Sequence, residues 1–153
     1  MKKAALIISV VMCSITYGGE IIKNTTILFN TNDSELSDDY EAELTKFLKN
    51  LDLTNDYQIV ISGHTDNRGS YAYNDNLSYK RAGSVKAFLI LKGVNKESIF
   101  FDFYGERKPT VDNNDAEKMR KNRRVEIIYK SFSEVLLILK DWEHSPEELA
   151  NDR

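Results

Sequence analysis

The chain has 153 residues, which is enough for one domain with a modest core and too few for two ordinary domains. Hydrophobic residues make up 41% of it and charged residues 29%, a balance typical of globular proteins that excludes the disordered and fibrous classes. The net charge of -3 at pH 7 provides no basic excess for holding a polyanion, so we expect no nucleic-acid partner.

The N-terminal segment has the pattern of an export signal. Lys2 and Lys3 precede an apolar stretch over residues 4–12, and small residues follow up to Gly19. The apolar stretch is shorter than the roughly 20 residues that a membrane-spanning helix needs. We therefore predict a signal peptide over residues 1–19 and an exported protein.

Cys13 is the only cysteine, and it closes the apolar stretch where a lipoprotein carries its acylated cysteine. A lipobox places a small residue before that cysteine, whereas Met12 is large. An ordinary signal-peptide cysteine is favoured, and an acylated Cys13 that would attach the chain to the outer membrane stays open.

The first half of the predicted domain contains two strands and a helix. Residues 25–30 form a β-branched and aromatic run that predicts a strand. Ser37 or Asp38 can cap a following helix, whose apolar residues Tyr40, Leu44, Phe47, Leu48 and Leu51 share one face. Residues 57–63 alternate in the manner of a strand inside a covered sheet.

The second half contains a long helix and two strands. The helix is predicted from Ser70, its cap, to Lys92, with Gly93 as the terminating left-handed residue. Residues 98–104 predict a third strand, 105–117 a polar loop and 122–130 a fourth strand. The order β-α-β-α-β-β over residues 25–130 predicts an α/β (α+β) fold, with a mixed four-stranded sheet covered by helices in two or three layers.

Residues 131–153 form a separate C-terminal extension. Val135, Leu136, Leu139 and Trp142 follow the spacing of an amphipathic helix, and Ser145 before Pro146 is typical of a helix cap. We favour docking of this helical tail on its own domain over docking on an envelope partner, because an exposed Leu/Trp stripe is a liability for a monomer.

Candidate binding residues concentrate in the loop over residues 63–69 and the helix that follows. Asn74, Leu77 and Arg81 are spaced so that they share one face of that helix. Arg81 interrupts an apolar stripe, and such violations of patterning occur at functional or specially paired sites. Two interpretations stay open: Arg81 serves a ligand, or it forms a structural salt bridge with Asp66.

Several elements in this region resemble the signature of the OmpA-like C-terminal, peptidoglycan-binding domains. The matching elements are Gly-His-Thr-Asp at 63–66, Gly69, Asn74, Leu77-Ser78, Arg81-Ala82, Val85, Gly93-Val94, Gly105-Glu106, Pro109 and Asn-Arg-Arg-Val-Glu at 122–126. They occur in the same order over residues 27–129, which is more specific than any single motif. The sequence departs from the family pattern at Phe103 and at Lys118-Met119.

The resemblance implies non-covalent binding of peptidoglycan through the diaminopimelate residue of its stem peptide. By position, Asp66 matches the residue that accepts the ligand's ammonium group, and Arg81 matches the residue that grips its carboxylate. Further ligand-binding positions are matched by Asn74, Leu77, Asn32 and Arg123, although a charge at a strand edge is an equal alternative for Arg123. A location in the periplasm or at the outer membrane of a Gram-negative bacterium follows from the same resemblance.

Catalysis, metals and cofactors are not expected. His64 and Asp66 have no serine or cysteine nucleophile beside them, and His64, His144 and Cys13 do not have the spacing of a metal site. Two functional classes are compatible with the sequence: a module that tethers an envelope component to the cell wall, and a protein-interaction subunit of a secretion or motility assembly that docks through residues 131–153.

Overall fold

The computed structural model describes residues 20–132, so the predicted signal peptide and residues 133–153 of the tail lie outside the described residues. In chain order the elements are β1 (Glu20–Leu28), α1 (Asp38–Lys49), β2 (Tyr57–Gly63), α2 (Tyr71–Leu91), a 3-10 turn (Lys96–Ser98), β3 (Ile99–Phe103), α3 (Ala116–Asn122) and β4 (Arg124–Phe132). None of the helices within residues 20–132 has the length and apolar character needed to cross a membrane.

The four strands form one mixed sheet in the order β1-β4-β2-β3. Strand β4 lies antiparallel between β1 and β2, and β3 is parallel to β2 at the edge. The parallel pair is connected through α2, as a parallel crossover requires. The predicted mixed four-stranded sheet is confirmed.

The hydrophobic core lies on one face of this sheet. Alternate residues of the strands, including Ile27, Ile59, Ile61 and Ile127, point into the same cluster as buried side chains of α1 and α2. Both helices therefore cover the same face. This is the two-layer form of the predicted architecture.

The caps of the two long helices are confirmed. The side chain of Ser37 accepts a hydrogen bond from Tyr40 N at the start of α1, and Ser70 accepts one from Tyr73 N at 3.2 Å at the start of α2. Gly93 ends α2 with φ 92°, a conformation in which a side chain would be strained. These caps fix where α2 begins, which matters because α2 carries three of the predicted site residues.

The structure departs from the sequence-based prediction at several strand boundaries, including those of β1 and β4, and by one additional helix, α3. Strand β1 starts at Glu20 because its first half, in which polar residues flank Ile21 and Ile22, pairs with β4 as far as Phe132. Residues 131 and 132 therefore belong to the sheet and not to the tail. Helix α3 occupies part of the segment predicted as loop and strand. The short helix has no apolar stripe to reveal it, and it starts where the side chain of Asp115 accepts a hydrogen bond from Lys118 N at 2.8 Å.

Candidate functional site

The loop between β2 and α2 is held by main-chain hydrogen bonds where it leaves β2. His64 N donates to Arg124 O and Thr65 N donates to Gly105 O, each at 2.9 Å. A Cβ atom on Gly63 would lie 2.2 Å from Ser78 O, so the glycine lets α2 approach the end of β2. The residues that follow Gly63 are thereby placed against the first half of α2.

A cavity of about 250 Å³ lies between this loop, the turn after β1 and the first half of α2. It is lined by Thr31, Asn32, Thr65, Asp66, Arg68, Gly69, Tyr73, Asn74, Leu77, Arg81 and Arg123. All six residues predicted to bind ligand are in this lining. The structure thus brings them together, while their individual roles stay predictions.

Asp66 is almost fully buried and is held by two arginines. Its Oδ2 accepts from Arg68 Nη2 at 2.6 Å and from Arg123 Nη1 at 3.0 Å, whereas Oδ1 accepts from the Arg68 backbone N–H at 3.1 Å. Burial raises the pKa of Asp66, but the hydrogen bonds from Arg68 and Arg123 outweigh it and keep the pKa below its ordinary value. Asp66 is therefore an anion with capacity for a further donor at Oδ1.

Arg81 is 0% exposed, although it lines the cavity. Its Nε donates to Asp33 O at 2.8 Å, and its Nη1 and Nη2 donate to His64 O and Asn30 O, each at 3.0 Å. The guanidinium also lies over the ring of Phe29, 5.2 Å from its centre. Burial, with the charge of Arg123, lowers the pKa of Arg81 to about 10, so the group stays protonated at pH 7.

The salt bridge considered between Arg81 and Asp66 is absent from the described residues. The charged partners of Asp66 within 4.0 Å are Arg68 and Arg123. The partners of Arg81 are main-chain carbonyls, which carry no formal charge. Within residues 20–132, Arg81 is thus a buried cation without an ion-pair partner.

Asn74 is buried and fixed by an acidic residue outside the cavity lining. Its Nδ2 donates to Glu106 Oε2 at 2.5 Å and to Asp66 O at 3.3 Å. Because Nδ2 of Asn74 is engaged in these hydrogen bonds, its Oδ1 points the other way, towards Gly69. A Cβ atom added to Gly69 would lie 3.7 Å from this oxygen. Asn74 therefore presents an acceptor to the cavity.

The remaining predicted residues lie around the rim and walls. Asn32 has a positive φ of 60° and is exposed in the turn after β1, and Leu77 is half-buried on α2. Arg123 donates from Nε to Phe29 O and pairs with Asp66, so the alternative of a strand-edge charge does not fit its environment. It lies just before β4, at the end of α3.

Sequence reasoning missed Arg68 as a site residue. Its guanidinium binds both Asp66 and the hydroxyl of Thr31, at 3.0 Å, across the mouth of the cavity. The sequence did offer one indication of its role: Arg68 is a cation two residues after the candidate anion Asp66 in a short loop. Thr65 was also missed, and its buried hydroxyl has no hydrogen-bond partner within the described part of the chain.

The lining is electrostatically asymmetric, with the three arginines Arg68, Arg81 and Arg123 facing the single carboxylate of Asp66. Such a cavity can take a ligand that carries both signs of charge and has an excess of negative charge. In residues 20–132 no three His, Cys, Asp or Glu side chains cluster as metal ligands.

The OmpA family model matches residues 28–123. The peptidoglycan-associated lipoprotein of Buchnera aphidicola subsp. Baizongia pistaciae is 39% identical over 108 residues, which are 71% of this chain and 62% of that protein. The corresponding lipoprotein of Pseudomonas putida is 35% identical over 67% of this chain and 61% of its own length. The chain therefore spans about three fifths of the length of these relatives.

Solved structures with the same fold include two proteins of different names. The peptidoglycan-associated lipoprotein from Burkholderia pseudomallei superposes with a TM-score of 0.64 at 31% identity, covering 68% of this chain and 88% of that one. The C-terminal domain of Helicobacter pylori MotB superposes with a TM-score of 0.61 at 28% identity, covering 80% and 98%. The fold assigned from the sequence is confirmed by both.

Proposed function

Because the chain belongs to the OmpA family, we propose that it binds peptidoglycan non-covalently through the diaminopimelate residue of the stem peptide and tethers an envelope component to the cell wall. The proposal extends to an exported protein with a signal peptide at residues 1–19, a binding domain at 20–132 and a C-terminal extension over residues 133–153. It places the protein in the periplasm or at the periplasmic face of the outer membrane of a Gram-negative bacterium.

The observation that carries the proposal is the position of Asp66 and Arg81 in the lining of one cavity. A carboxylate and a guanidinium that share a cavity without pairing with each other suit a ligand with an ammonium group and a carboxylate. The free end of diaminopimelate carries both groups on one carbon. Asp66 Oδ1 accepts the ammonium in this arrangement.

The guanidinium of Arg81 retains donors for the carboxylate. Of its five N–H groups, three engage backbone carbonyls, and the other two, which have no partner among residues 20–132, are assigned to the ligand. A buried, rigidly held guanidinium binds a carboxylate with little further loss of side-chain entropy. The excess of positive charge in the cavity favours diaminopimelate over a diamine of similar length.

The names of the relatives support the same ligand class and location. Two similar proteins are called peptidoglycan-associated lipoproteins, and one solved neighbour of 27% identity is described as the cell wall anchor of the T6SS from Pseudomonas aeruginosa. We propose a binding role without catalysis, because the cavity lining contains no serine or cysteine nucleophile.

Calorimetric titration with two stem peptides tests the proposed ligand. One peptide contains diaminopimelate, and the other contains lysine, which lacks only the second carboxylate. We expect the diaminopimelate peptide to bind more tightly, because only it engages Arg81. Equal affinities for the two peptides would contradict the assignment of the carboxylate to Arg81.

A second candidate function is that of a protein-interaction subunit in an envelope secretion or motility assembly. The observation that favours it is the likeness to the MotB domain and to the T6SS anchor. In that case the same fold serves mainly to assemble with other proteins. Retention of assembly by a variant with a disabled cavity would favour this candidate.

A further inference from the structure

The sheet has a second face, opposite the core, that neither α1 nor α2 covers. Even-numbered residues of the strands point to it, and three apolar ones lie side by side: Val60 is in register with Ile128 on one side and with Phe100 on the other. Ile22 lies diagonally beside Ile128 on the outer strand. We call the surface formed by Ile22, Val60, Phe100 and Ile128 the open face.

The open face is unusually apolar for a surface of a monomer. Phe100 is 51% exposed, and Val60 and Ile128 are only half-buried although they lie on adjacent strands of the sheet. A sheet with antiparallel strands can leave one face to solvent, but such a face is normally polar, whereas contiguous exposed apolar patches mark sites where another element packs. The apolar residues of the open face therefore indicate a surface on which another element packs.

We propose that the open face is covered by the chain's own C-terminal tail, residues 133–153. The tail follows β4 directly, and β4 lies between β1 and β2 with its last residues paired to the starts of both neighbours. The chain thus leaves the sheet at the edge of the open face. A short reversal after Phe132 is enough to bring the tail back across it.

The sequence of the tail matches the open face in size. Residues 135–142 carry their apolar side chains at helical spacing, and eight residues of helix are about 12 Å long. The row from Ile128 to Phe100 crosses two strand spacings, or roughly 10 Å. One helical segment of this length covers the row.

Charge complementarity supports the same arrangement. Lys130 lies on the open face, next to the apolar row and beside the point where the tail begins. Within residues 133–153 there are six acidic and two basic side chains, and Glu134, Asp141 and Glu143 flank the apolar stripe. The acidic tail is thus attracted to the end of the open face that it reaches first.

Docking on the open face would bury Trp142, the only tryptophan of the chain, and so provides a direct readout. We measure the emission maximum of Trp142 and its quenching by acrylamide in the purified full chain. The expected result is a blue-shifted emission and reduced quenching relative to the urea-unfolded chain. Native quenching equal to that of the unfolded chain would overturn the proposal.

Phe100→Ser is the test variant and Leu91→Ser is the matched control. Both replace an exposed large apolar residue, since Leu91 is 80% exposed on α2. We expect Phe100→Ser to shift the emission to the red and to increase quenching, with Leu91→Ser unchanged. The same response in both variants would overturn the assignment to the open face.

A substitution in the tail itself tests the proposal independently of Phe100→Ser, which could unfold the sheet. Leu139→Ser should increase the quenching of Trp142 and lower the thermal midpoint, without loss of the circular dichroism of the folded domain. Unchanged quenching and midpoint would overturn the proposal. An increase in the acrylamide quenching of Trp142 on dilution of the protein would overturn the proposal as well. The tail would then contact a second chain or another partner and not its own domain.

Discussion

Arg81 and Asp66 line the same cavity without pairing with each other. The guanidinium of Arg81 donates to three backbone carbonyls, whereas the carboxylate of Asp66 pairs with Arg68 and Arg123 at 2.6 and 3.0 Å. Two opposite charges therefore lie in one cavity, and each is held by its own hydrogen-bond partners. A ligand that carries both charges can bind to each of them without first breaking an ion pair between them.

We expect Arg81→Ala to destabilise the domain by about 3 kcal/mol, because it leaves three carbonyls of the site without their charged donor. Arg81→Lys should retain the charge and part of the stability while it lowers affinity for the stem peptide. Urea unfolding measures both effects, and Lys80→Ala, at the neighbouring exposed position, should change the free energy of unfolding by less than about 0.5 kcal/mol. A loss for Arg81→Ala as small as that of Lys80→Ala would contradict the anchoring role.

Arg68→Ala should tighten binding of the lysine-containing stem peptide by up to about fivefold, since a half-exposed ion pair is worth up to ~1 kcal/mol. The reason is that the guanidinium of Arg68 occupies Asp66 Oδ2, and its removal frees that oxygen as a second acceptor, beside Oδ1, for the ligand's ammonium. Arg107→Ala is the matched control, because Arg107 is 51% exposed and pairs with Asp75 at 2.5 Å outside the cavity lining. Weaker binding of the lysine peptide by Arg68→Ala would show that Arg68 helps the ligand and does not compete with it.

Glu106→Gln should reduce affinity for the diaminopimelate peptide by about fivefold, the value of roughly one hydrogen bond. A glutamine at this position can donate to Asn74 Oδ1 and so reverse the amide that the carboxylate of Glu106 now orients. Titration calorimetry measures the change, with Glu97→Gln, an exposed acidic position, as the control. Wild-type affinity of Glu106→Gln would mean that the orientation of Asn74 does not matter for the ligand.

His64 makes the stability of the domain depend on pH. Burial, followed by the charge of Arg124, lowers the pKa of His64 from 6.5 to about 4. Protonation in that interval favours the unfolded chain, so the free energy of unfolding should fall as the pH drops from 6.5 to 4 and be less affected below it.

The variant His64→Phe keeps the stacking on Tyr104 and should flatten this dependence. Chemical unfolding at a series of pH values measures it, and His144→Phe, which changes the other histidine, should retain the wild-type slope. Equal slopes for the two variants would assign the dependence to groups other than His64.

The parts of the site and fold that could be predicted from the sequence have a local signal, such as a charged residue in an apolar stripe or an alternating strand pattern. Arg81 was found because it interrupts an apolar helical stripe, and the structure places it, buried, on the core-facing side of α2. The boundaries of β2 were predicted correctly because alternation along one strand is a local property. Local patterns and caps were therefore enough to define most of the sheet and α2.

The features that were missed depend on contacts between distant segments. The first half of β1, in which polar residues flank Ile21 and Ile22, becomes a strand through pairing with β4, about 100 residues later in the chain. Helix α3 ends at Asn122, whose amide donates to Val111 O at 2.7 Å and accepts from Thr110 N at 2.9 Å. Hydrophobic periodicity in the sequence does not indicate hydrogen bonds of this kind. The contact of Arg68 with the turn after β1, at 3.0 Å from Thr31, likewise joins segments that are far apart in the sequence.

Co-sedimentation with diaminopimelate-type peptidoglycan tests the proposed function most directly. The wild-type protein and Asp56→Asn, an exposed position in the turn before β2, should pellet with the wall material. Asp66→Asn retains the size of the side chain but loses its charge, and it should reduce binding roughly tenfold or more, the value of a charge-assisted hydrogen bond. Undiminished pelleting of a folded Asp66→Asn variant would contradict the assignment of the cavity as the peptidoglycan site.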